Sequence, residues 1–125
     1  VTGVGTQMHL DMATENLEDK IVASLKDLVA TGKMVRISEL DIKCTDLQAQ
    51  ADLYKFIFQQ YIELVPDAQK GGITIWGIND KDSWVGESNA PLLFSGNKFE
   101  RKPAYEALYV YLCELAGIYP YQEEE

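Results

Sequence analysis

The stretch Met34-Val-Arg-Ile-Ser-Glu-Leu-Asp-Ile42 is a short, largely apolar run that predicts a buried parallel strand. Two carboxylates interrupt it, and because side chains on a strand alternate between faces, Glu39 and Asp41 should point to the same side. Burying two like charges side by side is costly unless they have partners or a chemical role. The run therefore predicts either a strand end with two solvated acids or a strand that carries a functional site.

The composition is ordinary for a globular protein, with 125 residues, 46% hydrophobic and 25% charged. No long apolar run occurs, so no membrane span is expected, and no signal peptide is visible at the N-terminus. The net charge is −9 with scattered Lys and Arg, which argues against a nucleic-acid partner and favours a neutral polysaccharide or a small neutral ligand. The terminal Glu123–Glu125 are expected to form a solvated acidic tail.

Two cysteines, Cys44 and Cys113, lie far apart in the sequence. One pair does not make a disulfide framework, and neither cysteine has the spacing of a metal ligand. Two unpaired, partly buried thiols are the favoured interpretation, and the redox compartment stays open.

Apolar periodicity divides the chain into three units, each a strand followed by a helix. The strands are predicted at Val4–Leu10, Met34–Ile42 and Ile73–Ile78, and the helices at Leu17–Val29, Leu47–Val65 and from Pro103 to Gly117. Thr14 or Asn16 should cap the first helix and Asp46 the second. The long polar segment 79–99 contains Trp84 and several apolar residues, which favours an ordered, packed loop.

Strands that alternate with helices predict a parallel sheet with right-handed crossovers. The polar residues of each strand fall near its C-terminal end, where open α/β sheets and (β/α)8 barrels place their sites. We therefore expect five side chains to converge at one end of the sheet, namely Gln7, His9, Glu39, Asp41 and Trp76.

His9 is expected to lie beside the two acids and could hydrogen-bond one with each ring nitrogen. Trp76 could be plain core or the wall of a sugar site, because pyranose C–H faces pack on indole. The sequence contains no glycine-rich phosphate loop after a strand, no zinc ligand set and no GxSxG motif. No metal and no cofactor are therefore expected.

Five segments, in order, resemble the C-terminal part of glycoside hydrolase family 10, the endo-β-1,4-xylanases. They are residues 3–9 (GVGTQMH), 37–42 (ISELDI), 73–84 (ITIWGINDKDSW), 91–94 (PLLF) and 102–105 (KPAY). The resemblance covers essentially the whole chain, and it implies that residues 1–122 form part of a family 10 catalytic domain. It also implies a (β/α)8 TIM barrel, of which the three units are similar to the sixth, seventh and eighth.

The resemblance also implies roles for individual residues. Glu39 matches the catalytic nucleophile of a Thr-Glu-Leu-Asp motif, in which Ser38 here replaces Thr. His9 and Asp41 match the residues that hydrogen-bond around that nucleophile. The residues that match substrate contacts are Gln7, Trp76 and Trp84.

Retaining glycosidases need a second carboxyl group, and the family's acid/base lies in an Asn-Glu motif on the fourth strand. This sequence contains no Asn-Glu dipeptide and about half the roughly 250 residues of a full barrel. We therefore expect a xylanase fragment that is inactive alone; a non-catalytic carbohydrate-binding or assembly unit is the alternative.

The expected partners are xylan or xylo-oligosaccharide and either the missing N-terminal half of the barrel or a second copy. Three βα units leave two open sheet edges, which favour self-association, strand exchange or a companion chain. The family resemblance implies a secreted or periplasmic location.

Overall fold

The computed structural model describes residues 1–120, so the predicted tail at 123–125 and the domain boundary at 122 lie outside the described residues. Within residues 1–120 the fold is α/β, as predicted, with three α-helices and a parallel sheet. The sheet consists of β1 (Gly3–Thr6), β2 (His9–Asp11), β3 (Met34–Lys43) and β4 (Lys70–Ile75). The helices are α1 (Leu17–Val29), α2 (Leu47–Leu64) and α3 (Pro103–Ala116). A small antiparallel ribbon of β5 (Phe94–Ser95) and β6 (Glu100–Arg101) lies between β4 and α3.

Strand β3 is the centre of the sheet. Strands β1 and β2 pair with successive parts of it, β4 pairs with its other edge, and all three pairings are parallel. Four of its side chains, Val35, Ile37, Leu40 and Ile42, are fully buried in one core shared with all three helices. The three-residue step from Ile37 to Leu40 coincides with a register shift against β4. This irregularity keeps Ile37 in the core, although strict alternation would place it on the same face as Glu39.

The first strand is not continuous from Val4 to Leu10, as the sequence predicted. It breaks at Gln7 and Met8, and Met8 has a φ of 61°. The Gln7 and Met8 carbonyls still accept hydrogen bonds from the Glu39 and Asp41 amides. The break therefore leaves the two halves on the same edge of β3, while the buried Met8 side chain packs in the core.

The third predicted strand, Ile73–Ile78, begins three residues earlier in the structure and ends at Ile75. Gly71 and Gly72 lie inside β4. A Cβ on Gly71 would lie 2.9 Å from Met34 Cγ and 3.0 Å from the Val35 carbonyl oxygen, so glycine permits this close approach to β3. Trp76 consequently follows the strand instead of lying within it.

The helices agree closely with the predicted spans. Asp46 caps α2, since its carboxylate accepts a hydrogen bond from the Ala49 amide at 3.1 Å. Asn16 occupies the N-cap of α1 in the left-handed region without a side-chain cap bond. Gly117, with a φ of 71°, ends α3 in the conformation that favours glycine. None of the helices within residues 1–120 is both long enough and apolar enough to cross a membrane.

An apolar stripe on α3, which includes Leu108, Leu112 and Leu115, is only partly covered. Leu108 is buried in the core, but Leu112 is 44% exposed and Leu115 is 52% exposed. Part of the stripe borders an apolar groove of about 290 Å³ that Phe58, Ile75 and Leu93 complete. Cys44 and Cys113 are both buried and unpaired.

Candidate functional site

The candidate site lies where β2 begins and β3 approaches its end. His9 and Asp41 are partners in the parallel register of β2 and β3. Because the two strands run in the same direction, their side chains meet at one end of the sheet. Glu39 lies on the same face of β3, two residues before Asp41, in agreement with the alternation predicted from the sequence.

The imidazole of His9 bridges the two carboxylates. Its Nδ1 lies 2.9 Å from Asp41 Oδ1, and its Nε2 lies 3.2 Å from Glu39 Oε1. A carboxylate oxygen only accepts hydrogen bonds, so two ionised acids require N–H groups on both ring nitrogens. The arrangement is therefore satisfied by an imidazolium placed between two anions.

The electrostatic balance agrees with this description. Burial lowers the pKa of His9, but the hydrogen bonds to Asp41 and Glu39 and the charges of these two acids outweigh it, so the pKa is raised above its ordinary value. The site therefore favours the positively charged form of the ring more than water does.

Asp41 is the most enclosed member of the group, with 1% of its surface exposed. Its second carboxylate oxygen accepts a hydrogen bond of 2.8 Å from the indole N–H of Trp84. The Trp84 ring also contacts His9 edge-on, with ring centroids 5.0 Å apart. The structure thus brings together four of the residues that the sequence singled out, and the fourth, Trp84, comes from the loop after β4.

Gln7 and Trp76 are less closely joined to this group. Gln7 is exposed at the break between β1 and β2, where its carbonyl accepts the Glu39 amide. Trp76 is also exposed, and its backbone N–H donates to the Leu40 carbonyl. Both residues therefore lie beside β3, and their side chains are available to solvent.

A second set of polar side chains, which the sequence analysis missed, lies buried below the loop after β4. Its members are Gln50, Asn79, Asp80 and Lys102. Lys102 falls in the KPAY segment, but no periodic pattern distinguishes a buried lysine there from an exposed one. The pairing of Lys102 with Asp80, across the loop after β4, becomes evident only in the folded structure.

The described residues offer no metal site. Among residues 1–120, no group of three or more His, Cys, Asp or Glu side chains could hold a metal ion. Both nitrogens of His9 already face carboxylate oxygens.

Comparison with known proteins places these features in one family. The sequence model described as "Glycosyl hydrolase family 10" matches residues 1–111. Endo-1,4-beta-xylanase Y of Acetivibrio thermocellus is 40% identical over 115 residues, covering 85% of this chain and 11% of the relative. The bifunctional endo-1,4-beta-xylanase XylA of Ruminococcus flavefaciens is 42% identical over 108 residues, with the same two coverages. The chain thus spans about a tenth of the length of these curated relatives.

Solved structures give the same result. The CBM22-1-GH10 modules of Clostridium thermocellum xylanase 10B, complexed with xylohexaose, match with a TM-score of 0.78 at 36% identity. That match covers 86% of this chain and 23% of the solved one. Xylanase 10C of Cellvibrio japonicus, as an E385A mutant with xylopentaose, matches with a TM-score of 0.78 at 28% identity, over 99% of this chain and 29% of the other. These neighbours are family 10 TIM-barrel xylanases, matched over a fragment.

Proposed function

The chain belongs to glycosyl hydrolase family 10, and we propose that it forms the nucleophile-bearing part of an endo-1,4-β-xylanase. In this proposal its three βα units are the sixth, seventh and eighth of a (β/α)8 barrel. The hydrogen-bonded series Glu39–His9–Asp41–Trp84 is the observation that carries the proposal, since it orients one carboxylate through the imidazole ring.

Glu39 is the proposed nucleophile. Retaining glycosidases use one carboxylate to attack the anomeric carbon, which forms a covalent glycosyl-enzyme that water then hydrolyses. His9 holds Glu39 Oε1, which leaves Oε2 to attack. Asp41 is the proposed positioning residue, because it holds the opposite side of the imidazole.

The proposed reaction also needs an acid/base carboxyl group about 5–5.5 Å from the nucleophile. We assign that group to the part of the barrel that precedes these three units. The 125-residue chain alone should therefore show no useful hydrolysis of xylan or of an aryl xylobioside.

Xylan is the proposed substrate, on the strength of the curated relatives, which are named endo-1,4-beta-xylanases, and of the solved relatives that hold xylo-oligosaccharides. Trp76 and Trp84 offer exposed indole surface beside the site, suited to the C–H faces of a pyranose. Gln7 offers an amide at the edge of the same site. We propose these three residues as substrate contacts.

The nucleophile can be tested in a chimeric barrel. Residues 1–120 would replace the matching segment of Endo-1,4-beta-xylanase Y of Acetivibrio thermocellus, and the chimera would be treated with a 2-deoxy-2-fluoro xylobioside that slows hydrolysis of the covalent intermediate. We expect mass spectrometry to find the sugar on Glu39, with no labelling in Glu39→Gln. Labelling of another carboxylate in a folded, active chimera would refute the assignment.

Exposed indoles also suit a non-catalytic carbohydrate-binding unit. Calorimetric titration of the 125-residue chain with xylohexaose separates the two functions. The fragment hypothesis predicts no saturable binding until the rest of the barrel is supplied. Saturable binding by the chain alone, combined with an inactive chimera, would favour the binding unit.

The location of the protein stays a prediction. A secreted or periplasmic enzyme would meet xylan directly, yet one solved relative, from Thermoanaerobacterium saccharolyticum, is described as an intracellular xylanase. Fractionation of the source cells with an antibody against this chain would assign the compartment.

A further inference from the structure

The loop after β4 contains a buried ion pair that the reaction scheme does not use. Asp80 and Lys102 are each 3% exposed, and Lys102 Nζ lies 2.8 Å from Asp80 Oδ2. Removing two charges from water is costly, so a buried pair contributes little net stability and points to a need for a defined geometry. Burial lowers the pKa of Lys102, although the hydrogen bond and charge of Asp80 oppose this effect.

The pair joins two limbs of the loop after β4. The outgoing limb is residues 76–84, and the returning limb is residues 89–92. The other oxygen of Asp80 accepts the Leu92 amide at 2.7 Å, and Lys102 Nζ also donates to the Ala90 carbonyl at 2.8 Å. Gln50 donates to the same Ala90 carbonyl from α2. Asp80 lies on the outgoing limb, and Ala90 and Leu92 lie on the returning limb, so the charges fasten one limb to the other.

The returning limb is attached to the end of β3, the strand that carries Glu39 and Asp41. The amides of Ile42 and Cys44 donate to the Pro91 and Asn89 carbonyls, each at 3.1 Å. The Tyr54 hydroxyl, buried in α2, donates to the same Pro91 carbonyl. The limb that Lys102 holds therefore runs directly beside Asp41.

The outgoing limb carries Trp84, four residues after Asp80. Its indole N–H reaches the buried Asp41 carboxylate, and its ring contacts His9. Because Trp84 itself is largely exposed, its position depends on how firmly the limb is held at its base.

We propose that Asp80 and Lys102 are positioning residues, which fasten the loop so that the Trp84 indole stays on Asp41 and His9. The role of the pair in holding Trp84 does not depend on the proposed function. The catalytic consequence rests on that function, since a misplaced Trp84 would loosen Asp41 and, through His9, the proposed nucleophile.

The test uses Trp84 as its own reporter. Trp76→Phe leaves Trp84 as the single tryptophan of the chain, and a protonated imidazole quenches an indole in contact with it. Trp84 emission should therefore fall as the pH is lowered through the pKa of His9, the single histidine. We expect Asp80→Asn with Lys102→Met to abolish this pH-dependent quenching, since Asn keeps an acceptor for Leu92 while the charged tie is lost.

The matched control removes the exposed pair Asp67–Lys70, whose charged atoms are 2.5 Å apart, by Asp67→Asn with Lys70→Met. It should leave the quenching unchanged. Unchanged quenching in the Asp80/Lys102 double variant, at a pH and temperature where circular dichroism shows the native fold, would overturn the proposal.

Native-state hydrogen exchange on the unaltered chain gives a second measurement that does not depend on a variant's folding. The Leu92 amide, held by Asp80, and the Trp84 indole N–H, held by Asp41, should exchange through one shared opening. Exchange of the Trp84 indole through an opening that leaves Leu92 protected would contradict the proposal.

Activity then separates the two proposals. In the chimeric barrel the Asp80/Lys102 double variant should lower kcat/KM, on the order of 10²-fold if Glu39 is displaced by about 1 Å. Loss of quenching without loss of activity would keep the positioning role and remove its link to catalysis. If the parent chimera were inactive while the 125-residue chain still showed the pH-dependent quenching, the result would count against the proposed function alone.

Discussion

At the residue scale, His9 links the two acids of the site, because each ring nitrogen faces a different carboxylate. A raised pKa in the folded state means that the folded protein binds a proton more tightly than the unfolded chain. The stabilisation that comes from protonated His9 is therefore fully present below the unfolded pKa of about 6.5. It is lost as the pH rises through the pKa of His9 in the folded state.

The free energy of unfolding should thus decrease from pH 6 to pH 9 by an amount that depends on His9, with a slope of at most about 1.4 kcal/mol per pH unit. Urea denaturation across this range measures it. The matched variant is His9→Gln, which removes the imidazole, so the His9 component should vanish. A wild-type curve parallel to that of the variant would show that the pKa of His9 is not raised.

The Trp84–Asp41 bond is a second interaction that can be measured at this scale. Trp84→Phe keeps an aromatic ring near His9 and removes the N–H that Asp41 accepts, so the buried carboxylate loses a donor. We expect a loss of about 1.5–3 kcal/mol in unfolding free energy, the range for hydrogen bonds to charged groups. Trp76→Phe, at an exposed position, is the control and should cost less, whereas equal losses would contradict the role given to the indole N–H.

At the scale of the elements, the sequence was informative where a period was strong. The spans of the three helices follow from their apolar spacing and, for α2, from the N-cap Asp46. The shared face of Glu39 and Asp41 follows from the alternation of side chains along β3. Alternation cannot reveal the register shift that keeps Ile37 in the core, or the break at Met8, because both depend on the neighbouring strand. Spacing along one strand also cannot show that β4 begins before Ile73, where Gly71 allows close contact with β3.

The glycines of β1 give a sharp comparison of this kind. A Cβ on Gly5 would lie 2.7 Å from the Arg36 carbonyl oxygen, which is backbone and cannot easily move. A Cβ on Gly3 would meet its nearest atom, the Met34 carbonyl oxygen, at 3.5 Å, an ordinary contact. Gly5→Ala should therefore destabilise the chain by about 1–3 kcal/mol, the usual cost of overpacking. Thermal unfolding of both variants measures this; a Gly3→Ala loss as large as that of Gly5→Ala would exclude the steric cause.

At the scale of the whole molecule, apolar and hydrogen-bonding surfaces remain without partners among the described residues. Within residues 1–120, β1, β2 and β4 pair with β3 alone, which leaves both outer edges of the sheet open. Leu112 and Leu115 continue the α3 stripe beyond the core. In the solved relatives the matching segment is less than two fifths of a longer chain. We infer that these surfaces pack against the rest of a barrel when it is present.

Open parallel edges and exposed apolar side chains favour association with another chain. The isolated 125-residue chain of 14.1 kDa should therefore elute as a dimer or a larger species in size exclusion with light scattering. Leu112→Lys with Leu115→Lys should shift the distribution towards monomer, because charge on the stripe opposes its burial, while Lys26→Glu on the exposed side of α1 should not. Addition of the upstream part of a family 10 barrel should compete with self-association if the same surfaces are used. A monodisperse monomer at micromolar concentration would show that the edges and the stripe are tolerated in water, and would remove the physical reason to expect a companion chain.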